Sequence, residues 1–121
     1  MSEVSSIEQQ TVVSERNIPT RDWYAWNNLM PPKPDDFHIV GEVQVGNPTI
    51  VAKLCPKEPQ GNNPDTLLMN LILIEPAGGS IQVLTWIPAR YDKILLNSTY
   101  KKVEIWFEEQ KIADIPVEDI H

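Results

Sequence analysis

Apolar and polar residues alternate with period two along FHIVGEVQV, the segment that begins at Phe37. Such alternation is typical of a β-strand with one buried face and one face in water. A break at GNPT separates this segment from a second apolar segment, IVAKL. Pairing the two as a hairpin places Val45 opposite Ile50 and Glu42 opposite Lys53. Apolar groups then meet on one face and opposite charges on the other, so we predict an antiparallel hairpin here.

The segments TLLMNLILI and SIQVLTWIP predict a second hairpin, because a glycine pair lies between them. One face of this hairpin would carry Asn70 and Thr85. The opposite face would carry four apolar side chains, namely Met69, Leu71, Leu84 and Trp86. Both faces are largely apolar, whereas a strand with one face in water should alternate cleanly. We therefore expect both faces to be covered, either within the domain or by another molecule.

A third hairpin is predicted for KKVEIWFEEQKIADIPV, with Val103 and Ile105 on its inner face. Matching them to Ala113 and Ile115 requires a three-residue turn over 108–110, which lacks the glycine that such a turn favours. The preceding segment, ARYDKILLNST, is long enough to cross between two sheets. These patterns predict an all-β fold, an antiparallel β-sandwich of about six or seven strands built from the three hairpins. A small closed β-barrel is the alternative.

The segment RDWYAWNNLM, which precedes the first predicted strand, follows a different pattern. Trp23, Trp26 and Met30 recur at the spacing of one helix face, and the proline at position 31 would end the helix. We therefore predict a short N-terminal helix within a Trp-rich lid segment, residues 20–36. Its aromatic side chains either cover the core or form an exposed binding platform, and we favour the cover.

Residues 1–18 are polar and almost free of aromatic side chains, which predicts a disordered tail. Residues 19–121 are then expected to form a single β-sandwich domain, a typical length for one domain. Deleting the tail should leave the melting temperature unchanged, since it buries too little apolar area to offset its ordering entropy.

The net charge of −7 argues against nucleic acid and against anionic membranes as partners, since both repel an acidic surface. The single cysteine, Cys55, excludes an intramolecular disulfide. The first residues lack the basic start and apolar run of a signal peptide, and no apolar run reaches the length of a membrane span. We therefore expect a cytoplasmic protein.

Candidate catalytic chemistry is sparse in this sequence. His38 lies on the polar face of its predicted strand and His121 is the last residue, so no metal site or catalytic triad can be assembled around them. Cys55 lacks a neighbouring base, which favours an inert thiol. No glycine-rich nucleotide-binding motif occurs. We therefore predict no catalytic residue, no metal and no cofactor, and do not expect an enzyme.

These features favour a small binding module that contacts a protein partner or a second copy of itself. The candidate interaction surface combines the aromatic segment with one face of the second hairpin: Trp23, Tyr24, Trp26, Met69, Leu71, Leu84 and Trp86. The alternative is a small-molecule ligand in an apolar barrel cavity, with Asn70 and Thr85 as its polar anchors. A third possibility is a small hydrolase that uses a carboxylate or Cys55.

Overall fold

A computed structural model of the chain describes residues 18–76, 82–96 and 98–121. These residues form seven strands: β1 (Thr20–Asn28), β2 (Asp36–Val45), β3 (Val51–Pro56), β4 (Thr66–Ile74), β5 (Thr85–Ile94), β6 (Lys102–Phe107) and β7 (Gln110–Ile120). The all-β prediction is confirmed. Residues 1–17 of the predicted tail lie outside the described part, while its last residue, Ile18, packs against the core.

The strands form one curved sheet in the order β3-β4-β6-β7-β1-β2-β5. The β1–β7 and β4–β6 pairs are parallel, and the other pairs are antiparallel. The two end strands, β3 and β5, lie against each other without a hydrogen-bonded ladder, so the sheet is a nearly closed barrel. The outcome fits the predicted all-β class and lies nearer to the barrel alternative than to two separate sheets.

The inner face of the sheet forms the hydrophobic core. Alternate residues of each strand point inward, as the period-two pattern of β2 predicts, and the inward residues of β2 are buried throughout the strand. The largest fully buried apolar side chains are Phe37, Ile39, Val43, Met69, Val103 and Ile105. These side chains fill the interior of the barrel.

The first two predicted hairpins are wrong, although their strands exist. β2 pairs with β1 and β5 rather than with β3. β4 pairs with β3 and β6 rather than with β5, and most of the predicted crossover segment belongs to β5. Alternation determines which side of a strand is buried, but several registers between different strands satisfy the same pattern.

The third predicted hairpin is confirmed, with Val103 opposite Ile115 and Ile105 opposite Ala113. Its turn is shorter than predicted, because a register shift after Ile105 brings Phe107 opposite Gln110. The two turn residues, Glu108 and Glu109, have φ angles of 50° and 69°. Positive φ at both central positions is the geometry that two-residue hairpin turns require.

The predicted N-terminal helix is wrong, since its residues form β1. A register shift between Arg21 and Tyr24 directs Trp23 toward the interior, where its ring packs against Gly41, while Tyr24 and Trp26 point outward. The two tryptophans therefore lie on opposite faces of the sheet. Residues three apart share one face of a helix but lie on opposite faces of a strand, so the spacing alone fits both. Aromatic residues also favour strands over helices.

β1 is joined tightly to the last strand of the chain. Ala25 pairs with Val117, and the amide of Leu29 donates to the carbonyl of Ile120 at 2.8 Å. The buried side chain of Asn27 donates through Nδ2 to Asp119 Oδ1 at 2.8 Å. A buried amide needs such partners to offset its lost hydration, so this contact fixes the register of the parallel pair.

Candidate interaction face

Four neighbouring strands place one outward residue each in a lateral row. Trp26 of β1 pairs with Glu118 of β7 on one side and with His38 of β2 on the other. His38 pairs in turn with Asp92 of β5. With neighbouring strands about 4.8 Å apart, the row Glu118–Trp26–His38–Asp92 spans about 14 Å of the outer surface. It has a carboxylate at each end and two aromatic rings between them.

The rings of this row form a stack with Tyr24, which lies two residues before Trp26 on the same face. The ring centroids of Tyr24 and Trp26 are 5.0 Å apart at an interplanar angle of 25°. Those of Trp26 and His38 are 4.9 Å apart at 31°. Tyr24 is 39% exposed and Trp26 is half-buried, so the stack remains accessible to solvent. We call these three residues, with Asp36, Asp92 and Glu118 around them, the aromatic face.

His38 is held between two carboxylates. Its Nδ1 shares a hydrogen bond of 2.6 Å with Asp92 Oδ1, and its Nε2 lies 3.2 Å from Asp36 Oδ1. Arg90 Nε donates to the other oxygen of Asp92 at 3.0 Å. The hydrogen bond from Arg90, followed by the one from His38, lowers the pKa of Asp92 below its ordinary value. The Asp92 carboxylate therefore stays ionised and engaged with its neighbours.

Two other carboxylates of the aromatic face have few partners. Glu118 accepts a hydrogen bond of 2.8 Å from the hydroxyl of Tyr24, and this bond raises the pKa of that phenol. Within the described residues, Glu118 has no cation at ion-pair distance. Asp36 Oδ1 is buried and lies 3.2 Å from His38 Nε2, but no donor among the described residues meets it with the geometry of a hydrogen bond. Glu118 therefore carries a negative charge that no lysine or arginine among the described residues balances.

The predicted interaction surface is only partly correct as a surface. Met69 is 0% exposed and Leu71 is 3% exposed, so both belong to the core and cannot contact a partner. They point inward because β4 lies between β3 and β6, with its odd-numbered residues on the inner face. Trp23 is also directed inward. Met69 and Leu71 therefore do not share an exposed face with Leu84 and Trp86, as the predicted second hairpin required.

The remaining predicted residues do lie on the outside. Leu84 is 70% exposed. Trp86 is half-buried beneath Arg21, whose guanidinium carbon lies 4.0 Å from the ring centroid and whose Nε donates to Glu42 at 2.7 Å. Only Tyr24 and Trp26 of the predicted set combine with each other in one stack.

Sequence reasoning missed the charged part of the aromatic face. His38 was recognised as a polar-face strand residue, but its partner Asp92 lies 54 residues later. Nothing in the local pattern connects them, because β2 was assigned to β3 rather than to β5. The carboxylates Asp36 and Glu118 likewise have no local pattern that distinguishes them from the other acidic residues.

Other chemistry considered from the sequence is not brought together. Cys55 is half-buried on β3, opposite Asn70 of β4. Asn70 also pairs with the outward-facing Trp106, so it does not line the interior. In the ranges that the structure describes, no group of three or more His, Cys, Asp or Glu side chains could hold a metal ion. Nor does any helix in those ranges have the length and apolar character to cross a membrane.

A surface groove lies at the other side of the barrel. It has a volume of about 390 Å³ and is lined by β4 and the β6–β7 turn, including Asn70, Phe107 and Glu109. The groove is open to solvent and combines apolar and acidic walls. It is separate from the aromatic face, which lies on the convex outer surface rather than in a pocket.

No protein-family model matches this chain, and neither a curated protein nor a solved structure matches it significantly.

Proposed function

We propose that the protein is a non-catalytic interaction module that binds a partner protein through the aromatic face. The observation that carries this proposal is the partly exposed stack of Tyr24, Trp26 and His38 on one side of the sheet. Tyrosine and tryptophan are enriched among the residues that dominate binding energy at protein interfaces.

The rigidity of the stack supports the same proposal. The Tyr24 hydroxyl is fixed by Glu118 and the His38 ring by Asp92, so these side chains are held before a partner arrives. A surface that is already ordered loses less conformational entropy on binding than a flexible one. Tyr24 and Trp26 also lie on β1, which is hydrogen-bonded to β2 on one side and to β7 on the other.

The interior of the barrel offers less support for a small-molecule site. Its volume is taken up by core side chains such as Phe37, Met69 and Ile105, each 0% exposed. Asn70, one of the two anchors suggested for a ligand, belongs to the outer face. We also propose that this interaction module acts in the cytoplasm.

Selection from a displayed peptide library tests the proposal directly. Peptides enriched on the wild-type protein should lose binding to Trp26→Ala by at least about tenfold, the size expected for an interface hot spot. Trp106→Ala is the matched control, because Trp106 is a half-buried outward tryptophan on β6, outside the aromatic face. Peptides that bind both variants equally well would contradict the proposed surface.

A tryptophan-to-alanine change can also act by loosening the fold, and Tyr24→Leu separates this effect from binding. Leucine keeps apolar area on β1 while removing the ring and the hydroxyl that donates to Glu118. If Tyr24→Leu loses peptide binding while its backbone amide signals in the nuclear magnetic resonance spectrum show an intact fold, Tyr24 contacts the peptide directly. Retained binding in both β1 variants would place the binding surface elsewhere.

A further inference from the structure

We infer that the aromatic face binds a basic segment of the partner protein, with a lysine or arginine side chain against Tyr24 and Trp26 and beside Glu118. This inference rests on the proposed function and specifies the chemistry of the partner.

The other accessible aromatic rings show why this pair is distinctive. Arg21 lies 4.0 Å from the ring centroid of Trp86, Lys57 Nζ lies 5.5 Å from that of Trp106, and Lys93 Nζ lies 5.2 Å from that of Tyr100. Lys93 donates to the Tyr100 hydroxyl at 2.7 Å and so lies at the edge of that ring. The two outer tryptophans, Trp86 and Trp106, thus each carry a cation from their own chain. Such contacts are favourable because the face of an aromatic ring is negative.

Tyr24 and Trp26 have no lysine or arginine over their rings in the part of the chain that the structure describes. The imidazole of His38 contacts Trp26 and is already engaged by Asp92. The exposed side of the stack therefore lacks the cation that the two outer tryptophans possess. A partner can supply that cation.

The charges around the stack agree with a cationic occupant. Arg21 is taken up by Glu42 at 2.7 Å and Arg90 by Asp92 at 3.0 Å, so both local guanidinium groups are already paired. Among residues 18–76, 82–96 and 98–121, Glu118 has no cation at ion-pair distance, and it stands next to Trp26 in the lateral row. The whole chain has a net charge of −7, which steers a basic segment toward the protein and disfavours an acidic one.

Arginine and lysine fit this position through two contacts at once. A guanidinium can stack on an aromatic face while it donates to a carboxylate, and an ammonium can do the same as a point charge. Glu118 already accepts from Tyr24, which holds the carboxylate beside the rings, and a carboxylate has further lone pairs for a second donor. An acidic peptide would instead meet Glu118 and Asp36.

Short peptides that differ at one position test the inference by nuclear magnetic resonance. The probes are acetylated glycine–serine peptides with arginine, lysine, norleucine or glutamate at the centre, titrated into isotope-labelled protein. The arginine and lysine peptides should shift the β1 and β2 amide signals and the indole signal of Trp26. Norleucine should bind more weakly, glutamate should not bind, and added salt should weaken the cationic peptides.

Glu118→Gln should lower the binding affinity of the arginine and lysine peptides about two- to fivefold, the range expected for one exposed charge pair. It should leave the norleucine peptide unchanged. Glu109→Gln is the matched control, because Glu109 lies on the β6–β7 turn, away from the aromatic face.

The outcomes separate this inference from the proposed function. If norleucine binds the aromatic face as well as arginine, the cationic partner is wrong while the interaction module stands. If library peptides bind but none depends on Trp26, the proposed surface fails as well. If the wild type sediments as a dimer that Trp26→Ala dissociates, the occupant is a second copy, and the inferred basic partner is overturned.

Discussion

Two neighbouring regions of the outer surface differ in how their charged side chains are paired. On β6 and β7, Lys102 lies 3.3 Å from Asp114 and 3.8 Å from Glu104, while Lys111 lies 3.5 Å and 3.7 Å from the same two carboxylates. Trp106 donates from its indole nitrogen to Glu104 at 3.2 Å. Two cations and two carboxylates balance within this charge square, which leaves no charge for a partner.

The aromatic face does not balance in the same way. In the part of the chain that the structure describes, Tyr24 and Trp26 stack on each other rather than under a cation, and Glu118 accepts from the Tyr24 phenol. The two regions contain the same kinds of residue, tryptophan with acids nearby. The difference teaches that exposure of a tryptophan does not by itself indicate a binding surface. The informative feature is that, within the described residues, no lysine or arginine lies over these two rings or beside Glu118.

The largest expected effect concerns the support beneath the aromatic face. A Cβ on Gly41 would overlap the ring of Trp23, so Gly41→Ala should destabilise the fold by about 1–3 kcal/mol in urea unfolding. The matched control is Gly46→Ala, where the nearest atom to an added Cβ is 3.8 Å away. Equal midpoints for the two variants would mean that Trp23 does not hold β1 and β2 together from inside.

The stack itself should contribute less. Trp26→Ala removes the ring that contacts both Tyr24 and His38, and should lower the free energy of unfolding by about 1 kcal/mol beyond its lost apolar area. A double-mutant cycle with Tyr24→Leu measures the coupling. No coupling between the two positions would show that the rings are neighbours without a stabilising contact.

The decline of the unfolding free energy at low pH should depend on Asp92. Its pKa is lowered in the folded state by Arg90 and His38, so its contribution is present above its ordinary pKa of about 3.9 and is lost as pH falls through the lower folded value. Asp92→Asn should therefore flatten the decline in unfolding free energy below about pH 4. Urea titrations across this range measure it, and superimposable acid limbs would contradict the assignment.

The smallest effect is expected in the charge square. Lys111→Met removes one of its two cations, but the Lys111 side chain is 41% exposed and its partner Asp114 is 46% exposed. The unfolding free energy should change by less than about 0.5 kcal/mol, as is usual for surface ion pairs. The variant should also leave peptide binding at the aromatic face unaltered. Lost binding would show that the two regions are not independent.

Part of this architecture could be predicted from local patterns. The alternation in β2 correctly assigns Phe37, Ile39 and Val43 to the core. The register of β6 and β7 could be found because one short turn joins them. In that case the chain itself limits the possible partners of each strand.

The rest depended on contacts between distant segments. No local rule distinguishes β3 from β5 as the partner of β2, since each presents apolar groups at alternate positions. Trp23 and Trp26 are three residues apart, a spacing that fits one face of a helix but places them on opposite faces of β1. The contact between His38 and Asp92 requires the correct neighbour for β2 first. The candidate site was therefore harder to predict than the fold class.

The parallel pairing of β1 with β7 has a consequence for the order in which the chain can fold. Asn27 and Asp119, which join these strands, are 92 residues apart. At a synthesis rate of about 5–20 residues per second, β1 waits several seconds on the ribosome before β7, the second of its two neighbours, is made. A nascent chain arrested before Gln110 should therefore leave β1 open to protease, and release of the full-length chain should close it.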